Sequence, residues 1–376
     1  MSVQNSAEPH TEVREQVTAK LRKEIICGRL SPGKRIPPQI ELARQFGVSG
    51  VTVQHAVSRL ARDGFLCTRP RQGTYVAEKP PHIFHYGITF YTHPSDRETW
   101  LQFWVALSHE AVHIQQTTRS DLSLFYGIDG RPGTGDNDEL LRLAKGHQLA
   151  GLIFTSNPWL LVNTPLLQEP DIPRVAIGVP KAEFPGVTAV NGTGFEERCL
   201  QEMCARGRRR VGLILTDGNQ DLDPNAERWV TLARSMGIEM RPEWVQTVPL
   251  SQPALARNVA QLLMSPHYSQ RPDVLIIADD NLVPAATAGL AAAGLHVPDD
   301  ADVIAHTNFP WPTPSAVAAL RIGFDSRAIL EACIRVIDAK RAGKDVPPVV
   351  EVTAQAEDEI VRNPSFRNSP ALAGES

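Results

Sequence analysis

Residues 41–76, ELARQFGVSGVTVQHAVSRLARDGFLCTRPRQGTYV, decide how the rest of the chain is read. Leu42, Ala43 and Phe46 fall on one face of a helix over 41–46. Gly47 breaks that helix, and Val48 plugs the turn. Ser49 is placed to N-cap a second helix, since its side-chain oxygen can take up a backbone N–H left free at the helix start. That helix is expected from Gly50 to about Asp63, with Val53, Ala56, Val57 and Leu60 as its buried stripe. Gly64 ends it. Residues 65–68 and 74–76 then read as two short strands around a basic tip, Arg69-Pro70-Arg71-Gln72-Gly73.

Helix, tight turn, helix and basic hairpin together make the layout of a winged helix-turn-helix. A helix fits the DNA major groove and presents side chains from its N-terminal end to base edges. Basic residues on a wing meet phosphates or the minor groove. The candidate contacts with double-stranded DNA are Ser49, Gly50, Thr52, Gln54, His55 and Arg59 on the second helix. Lys34 and Arg35 before it, and Arg69, Arg71 and Gly73 on the wing, complete the set. Charge agrees. Residues 1–79 hold 13 Lys/Arg against 7 Asp/Glu, a net of +6, whereas the remainder holds 25 against 35, a net of −10. A weakly acidic whole hides a basic head, as a polyanion partner for the head alone requires.

The head resembles the GntR family of bacterial regulators over about residues 11–77. Ile26-Cys27-Gly28-Arg29-Leu30-Ser31-Pro32-Gly33-Lys34-Arg35-Ile36-Pro37 follows that family's I-x-x-G-x-L-x-P-G-x-x-L-P run. Val48-Ser49-Gly50-Val51-Thr52-Val53-Gln54 follows its V-S-R-x-T-V-R, and Gly73-Thr74-Tyr75-Val76 its wing. Three arginines usual in the family are replaced here by Ile40, Gly50 and Gln54. The resemblance therefore implies the fold and DNA binding, but not the family's usual guanine contacts. Gln54 suits adenine N6/N7, and His55 is a donor to a base or a phosphate.

The chain has 376 residues, enough for a small head and a large body. No apolar run approaches the roughly 18 residues of a membrane span. The first residues, MSVQNSAEPHTEV, lack the basic region and apolar core of a signal peptide, so none is expected. The five cysteines are scattered without a CxxC pair, which fits free thiols in a reducing cytoplasm. Beyond Pro80-Pro81, expected to be extended and stiff, strands and helices alternate. Strands read at 86–91, 122–126, 150–155, 174–178, 210–215, 244–248, 273–278 and 302–306. This pattern implies α/β architecture with parallel sheets covered on both faces, divided into two lobes.

The body resembles the LacI/GalR effector domain, which has the two-lobed periplasmic-binding-protein-like fold. Arg271-Pro272-Asp273 through Asn281 follows that family's R-P-x-A-I-x-x-x-N-D, and Ala292 through Ile304 its L-x-x-x-G-x-x-V-P-x-D-V-x-V-V. A GntR head on such a body is the arrangement of arabinose-repressor-like regulators. The resemblance implies a sugar or sugar derivative between the lobes, with Arg228 on sugar hydroxyls and Asp279 at the family's Asn position. Thr307 and Asn308 stand where the family carries an acidic pair after the strand. Asn157 after the third strand, together with Tyr91, His93, Phe103 and Trp104, could face the same cleft, since open parallel sheets bind ligands beyond the carboxyl ends of strands.

The expected organisation is a DNA-binding head over 1–77, a linker over 78–85, an effector-binding and dimerising body over 86–362, and a flexible tail over 363–376. The partners implied are an operator in double-stranded DNA, a carbohydrate effector and a second copy of the chain. No cofactor, metal, membrane or catalytic activity is expected: GxSxG is absent, and none of Lys145, Lys181, Lys340 and Lys344 sits in a cofactor-binding context. The alternative function is a constitutive dimeric DNA binder whose body has lost its ligand. Arg206-Gly207-Arg208-Arg209-Arg210 reads as a helix-end cap and not as a second DNA surface.

Overall fold

A computed structural model describes residues 8–96, 98–118, 120–169, 172–217 and 222–362; the expected tail lies outside them. The head comprises α1 (Glu8–Ile26), α2 (Gln39–Phe46), α3 (Gly50–Arg62), β1 (Leu66–Arg69) and β2 (Gly73–Val76). Its core joins Val17, Leu21 and Ile25 of α1 to Leu42, Val53, Ala56, Leu60, Phe65 and Val76. Gly47 (φ 65°) ends α2 in the left-handed region, where a residue without Cβ is favoured. The wing carries a third, short edge, because Arg35 bridges Tyr75 antiparallel.

The connecting segment differs from expectation. Pro81 opens a single helical turn, α4 (Pro81–Phe84), instead of continuing an extended run. Proline is tolerated there because a first-turn N–H has no intrahelical partner in any case. The turn buries His82 and stacks its ring on Phe65 at 5.5 Å, so the head is held against the segment that enters the body.

The body's first lobe is built from β3 (His85–Thr89), α5 (Gln102–Thr117), β4 (Asp121–Phe125), α6 (Asn137–Lys145), β5 (Gly151–Phe154), α7 (Pro165–Gln168), β6 (Arg174–Ile177) and β7 (Val187–Thr193). The second holds α8 (Phe195–Ala205), β8 (Val211–Thr216), α9 (Leu222–Ser235), β9 (Val245–Val248), α10 (Leu255–Leu263), β10 (Val274–Ile277), α11 (Val283–Ala292), β11 (Asp302–Phe309) and β12 (Leu320–Asp325). The chain then returns through α12 (Ser326–Arg341) and β13 (Val349–Thr353) to the first lobe, and ends the described part with β14 (Gln355–Ala356) and α13 (Glu357–Arg362). The sheets run β13-β7-β6-β5-β3-β4 and β14-β12-β11-β10-β8-β9. All pairings within them are parallel except β12 with β14. Strands such as Val274–Ile277 are buried along their whole length, as sheets covered on both faces require.

Three passages join the lobes: Thr193 to Phe195, Asp325 to Ser326, and Thr353 to Gln355. They lie side by side. Ala354 N–H donates to the Thr193 carbonyl at 2.9 Å, and a Cβ on Gly192 would stand 2.7 Å from the Phe324 ring. Sequence periodicity marks neither β7, β12 and β13 nor α1. It also ends β11 at His306, whereas the strand runs to Phe309 and takes Thr307 and Asn308 inside it. The basic run at 206–210 is occupied structurally. Arg208 Nε lies 2.6 Å from Asp302 Oδ2, and Arg210 Nε 3.5 Å from Asp273 Oδ2.

Candidate nucleic-acid interface and inter-lobe cleft

On the head, Ser49 is the N-cap of α3, its Oγ accepting from Thr52 N–H at 3.2 Å. Such a cap stabilises a helix by about 1 kcal/mol and fixes which residues lead it. Gln54 and His55 are exposed, while Val53, Ala56 and Leu60 are buried behind them. Gly50 and Thr52 are half-buried at the start of the helix, with Gln39 Nε2 donating to the Gly50 carbonyl. Lys34, Arg35, Arg69 and Arg71 are exposed. Arg71 takes a positive φ (63°) at the wing tip, and Gly73 (φ 107°) leaves room for the Arg35 guanidinium, whose Nε would lie 2.7 Å from a Cβ there. Arg69 lies over the Tyr75 ring at 4.6 Å and within 3.8 Å of Glu78. Arg59 leans to Glu15 of α1 at 3.6 Å, away from the helix N-terminus. The leading helix end and the basic wing therefore present an open donor surface.

In the body, the expected ligand residues separate into two groups. Asn157 lines a cavity of about 210 Å³ at the carboxyl ends of β3 and β5, with Thr89, Tyr91, Phe154, Thr155 and Trp159. All of its lining residues belong to the first lobe. Its volume is below the roughly 300–1,000 Å³ usual for drug-sized ligands, so it suits a small molecule. Amide, hydroxyl and aromatic face together suit a polyol. Trp159 is not legible as a site residue in the sequence, although Asn157-Pro158-Trp159 directly follows a buried strand.

The second lobe contributes a self-paired cluster. Asn308 Nδ2 donates to Asp280 Oδ2 at 2.7 Å, both side chains being buried. Asp279 Oδ1 accepts from Asn281 N–H at 2.8 Å and from Asn281 Nδ2 at 2.7 Å. Burial and the neighbouring Asp279 raise the Asp280 carboxyl to about 8, and burial lowers the imidazole of His306. The two stand 3.9 Å apart, and both shifts favour the neutral forms. Thr307 is 1% exposed within the β11 ladder.

Three residues sit elsewhere than a cleft contact requires. Trp104 is 1% exposed, packed edge-on against Phe90, Tyr91 and Trp100, so it belongs to the lobe core and cannot offer a face to a ligand. His93 is exposed, bonded to Ser95 and set edge-on to Tyr126. Arg228 is half-exposed on α9 and is drawn to Glu197 at 3.1 Å and Glu196 at 3.7 Å on the first turn of α8.

The lobes also touch outside the expected ligand residues. Glu110 of α5 is 0% exposed. Its Oε2 accepts from Arg327 Nε at 2.7 Å, and its Oε1 from Trp311 Nε1 at 2.9 Å. His109 stacks on Trp311 at 4.2 Å, and Gln102 N–H donates to Asn281 Oδ1 at 3.0 Å. The loop after β11 thus docks on the first lobe's α5.

Residues 13–76 match the family described as bacterial regulatory proteins, gntR family, and residues 200–357 match the periplasmic binding protein-like domain. The head is 34% identical over 77 residues to the HTH-type transcriptional repressor NagR of Bacillus subtilis, covering 20% of this chain and 32% of that protein. The first relatives matched are spanned over only 25% to 32% of their length. A longer match is the arabinose metabolism transcriptional repressor of Geobacillus stearothermophilus, 22% identical over 80% of this chain and 84% of that protein. Among solved structures, a LacI family transcriptional regulator from Arthrobacter in complex with lactose superposes with a TM-score of 0.55 at 12% identity, covering 73% of this chain and 97% of that one. A LacI family regulator from Lactobacillus casei with bound glucose gives 0.51 at 14% identity, covering 73% of this chain and 97% of that one. The body therefore has the fold of that group.

The Asp280 environment has a measurable consequence. A carboxyl whose folded pKa is raised favours its protonated form on folding. Its contribution is complete below the unfolded pKa near 4 and is lost as pH rises toward about 8. Stability should fall between these limits by at most about 1.4 kcal/mol per pH unit from this group. Asp280→Asn, which keeps the shape and a partner for Asn308, should flatten the pH dependence of the denaturation midpoint. Parallel profiles for variant and wild type would contradict it.

Proposed function

We propose that this chain, with a gntR-type helix-turn-helix at its N-terminus and a periplasmic-binding-protein-like body behind it, is a transcriptional repressor controlled by a small ligand. The observation that carries the reading is the pairing of an open, Ser49-capped α3 and basic wing with a two-lobed body whose chain crosses three times between lobes. In this reading residues 1–77 read DNA, 78–85 connect, and 86–362 bind the ligand and dimerise. A carbohydrate small enough for the Asn157 cavity binds there first. Closure then brings the second lobe's Asp279 side toward it. The protein acts as a cytoplasmic homodimer on a pseudo-palindromic operator, two heads entering successive major grooves. It is a regulator and not an enzyme. The relatives named as repressors, and the neighbours solved with lactose and glucose, support this.

A second reading has one observation in its favour. Asn308 and Asp280 satisfy each other, and Arg228 is held by Glu197, as in a body that dimerises without binding ligand. A thermal-shift screen of the full chain against monosaccharides, disaccharides and sugar acids separates the two. A ligand at 100 times its Kd that binds only the folded state adds about 2.7 kcal/mol. The effector reading expects a hit that Asn157→Ala abolishes. No shift across the sugars would leave the constitutive reading.

For the head, DNA selected from random sequence and followed by fluorescence anisotropy should respond differently to two variants. Arg71→Ala should weaken all sequences alike and lower the salt slope by about 1. Gln54→Ala should cost about 1–3 kcal/mol on the selected site and relax one base position. An unchanged selected motif in the Gln54 variant would remove that residue from base reading.

A further inference from the structure

Between the head and the base of the first lobe lies a cleft of about 770 Å³ that the repressor reading does not use. Five cations line it, Arg22 and Lys23 from α1, Lys145 from α6, and Lys340 and Arg341 from the end of α12. Among the described residues no Asp or Glu lines it. Two of the cations are answered from behind, Arg22 Nη2 by Asp63 at 3.2 Å and Arg341 Nη2 by Asp338 at 3.1 Å. Lys340 Nζ donates to the carbonyls of Arg174 and Gly186, which hold it without cancelling its charge. Lys23 and Lys145 stand exposed at the margin. A surplus of positive charge is thus fixed around one opening.

A second observation points to a ligand. Two buried nitrogens on this wall lack a hydrogen-bond partner: Arg22 Nε and Nδ1 of His82. His82 is 7% exposed, and its ring is fixed by stacking on Phe65, so Nδ1 cannot swing out to water. Leaving a buried polar atom unpaired costs about 1–3 kcal/mol, which a bound acceptor would recover. Burial, with Arg341 and His147 beside it, lowers the His82 imidazole to about 4, and an anion would offset that repulsion. Ile26, Leu149, Ile172 and Pro173 add an apolar wall, so the cleft suits a carbon skeleton as well as charge.

We propose that this cleft is a second small-molecule site, selective for a phosphorylated metabolite bearing at least two anionic groups. Bound there, the ligand bridges α1 of the head to α6 and α12 of the body and fixes the head's position. Arginine and lysine together suit phosphate oxygens, which accept several charge-assisted hydrogen bonds. The site is separate from the Asn157 cavity and its occupancy does not depend on that reading.

Isothermal titration of the full chain with pyrophosphate tests this, with inorganic phosphate as the comparison. Pyrophosphate should bind more tightly than phosphate. Lys23→Ala/Lys145→Ala, which alters only exposed side chains, should weaken it about tenfold or more, the equivalent of roughly 1.4 kcal/mol or above. Asn157→Ala should bind pyrophosphate like wild type. Absence of pyrophosphate binding overturns the proposal. So does equal affinity in the double lysine variant, or loss of binding in Asn157→Ala, which would place the anion between the lobes.

Discussion

The buried carboxylate of Glu110 ties the second lobe's loop to the first lobe. It takes hydrogen bonds from Arg327, just beyond the second lobe crossing, and from Trp311 on the second lobe's loop. A charge with no exposed surface persists only while it is paired, and removing one partner of such a pair costs about 3–5 kcal/mol. Arg327 opens α12, which packs into the first-lobe core, so only the Trp311 bond crosses from the second lobe, and parting the lobes there would leave the carboxylate with Arg327.

The same helix that holds one end of this contact reaches the head. α12 begins at Ser326 beside the crossing and ends at Arg341, whose Nη1 donates to the carbonyls of Ile83 and His82. Its 16 residues span about 24 Å at helical rise. His82 in turn stacks on Phe65, which belongs to the same core as α3. A packed route of described residues therefore runs from the lobe crossing to the core around α3. The linker expected to be an extended spacer is instead part of that route, and the basic cleft lies beside it.

Much of this is legible in the sequence where one physical requirement dominates a segment. Ser49, Gly47 and the buried stripe Val53, Ala56 and Leu60 define α3 because capping, turn geometry and helical spacing agree. The fully apolar strands declare themselves because both faces are buried. The segments that join the lobes do not. Val187–Thr193, Leu320–Asp325 and Val349–Thr353 mix polar residues and glycine, since they leave one core, approach each other closely and enter another. α1 is silent because its apolar residues Val17, Leu21 and Ile25 form a narrow stripe in a charged helix. The place of Asn157 at a strand end beside a cavity is readable, whereas the burial of Trp104 is not, because an aromatic on a helix looks the same whether it faces a ligand or a core. The partners of Glu110 lie about 200 residues away in sequence, at Trp311 and Arg327, beyond the reach of any local pattern.

The most direct measurement is of reciprocity on one preparation of the full chain at fixed salt. Operator affinity is read by anisotropy with and without saturating sugar, and sugar affinity by calorimetry with and without saturating operator. Ligand control of a repressor requires both affinities to change by the same factor, and relief of repression by the sugar predicts that both fall, because the two binding equilibria share one set of states. A sugar that binds the body while leaving operator affinity unchanged would contradict it and leave a DNA-binding protein whose ligand does not control it.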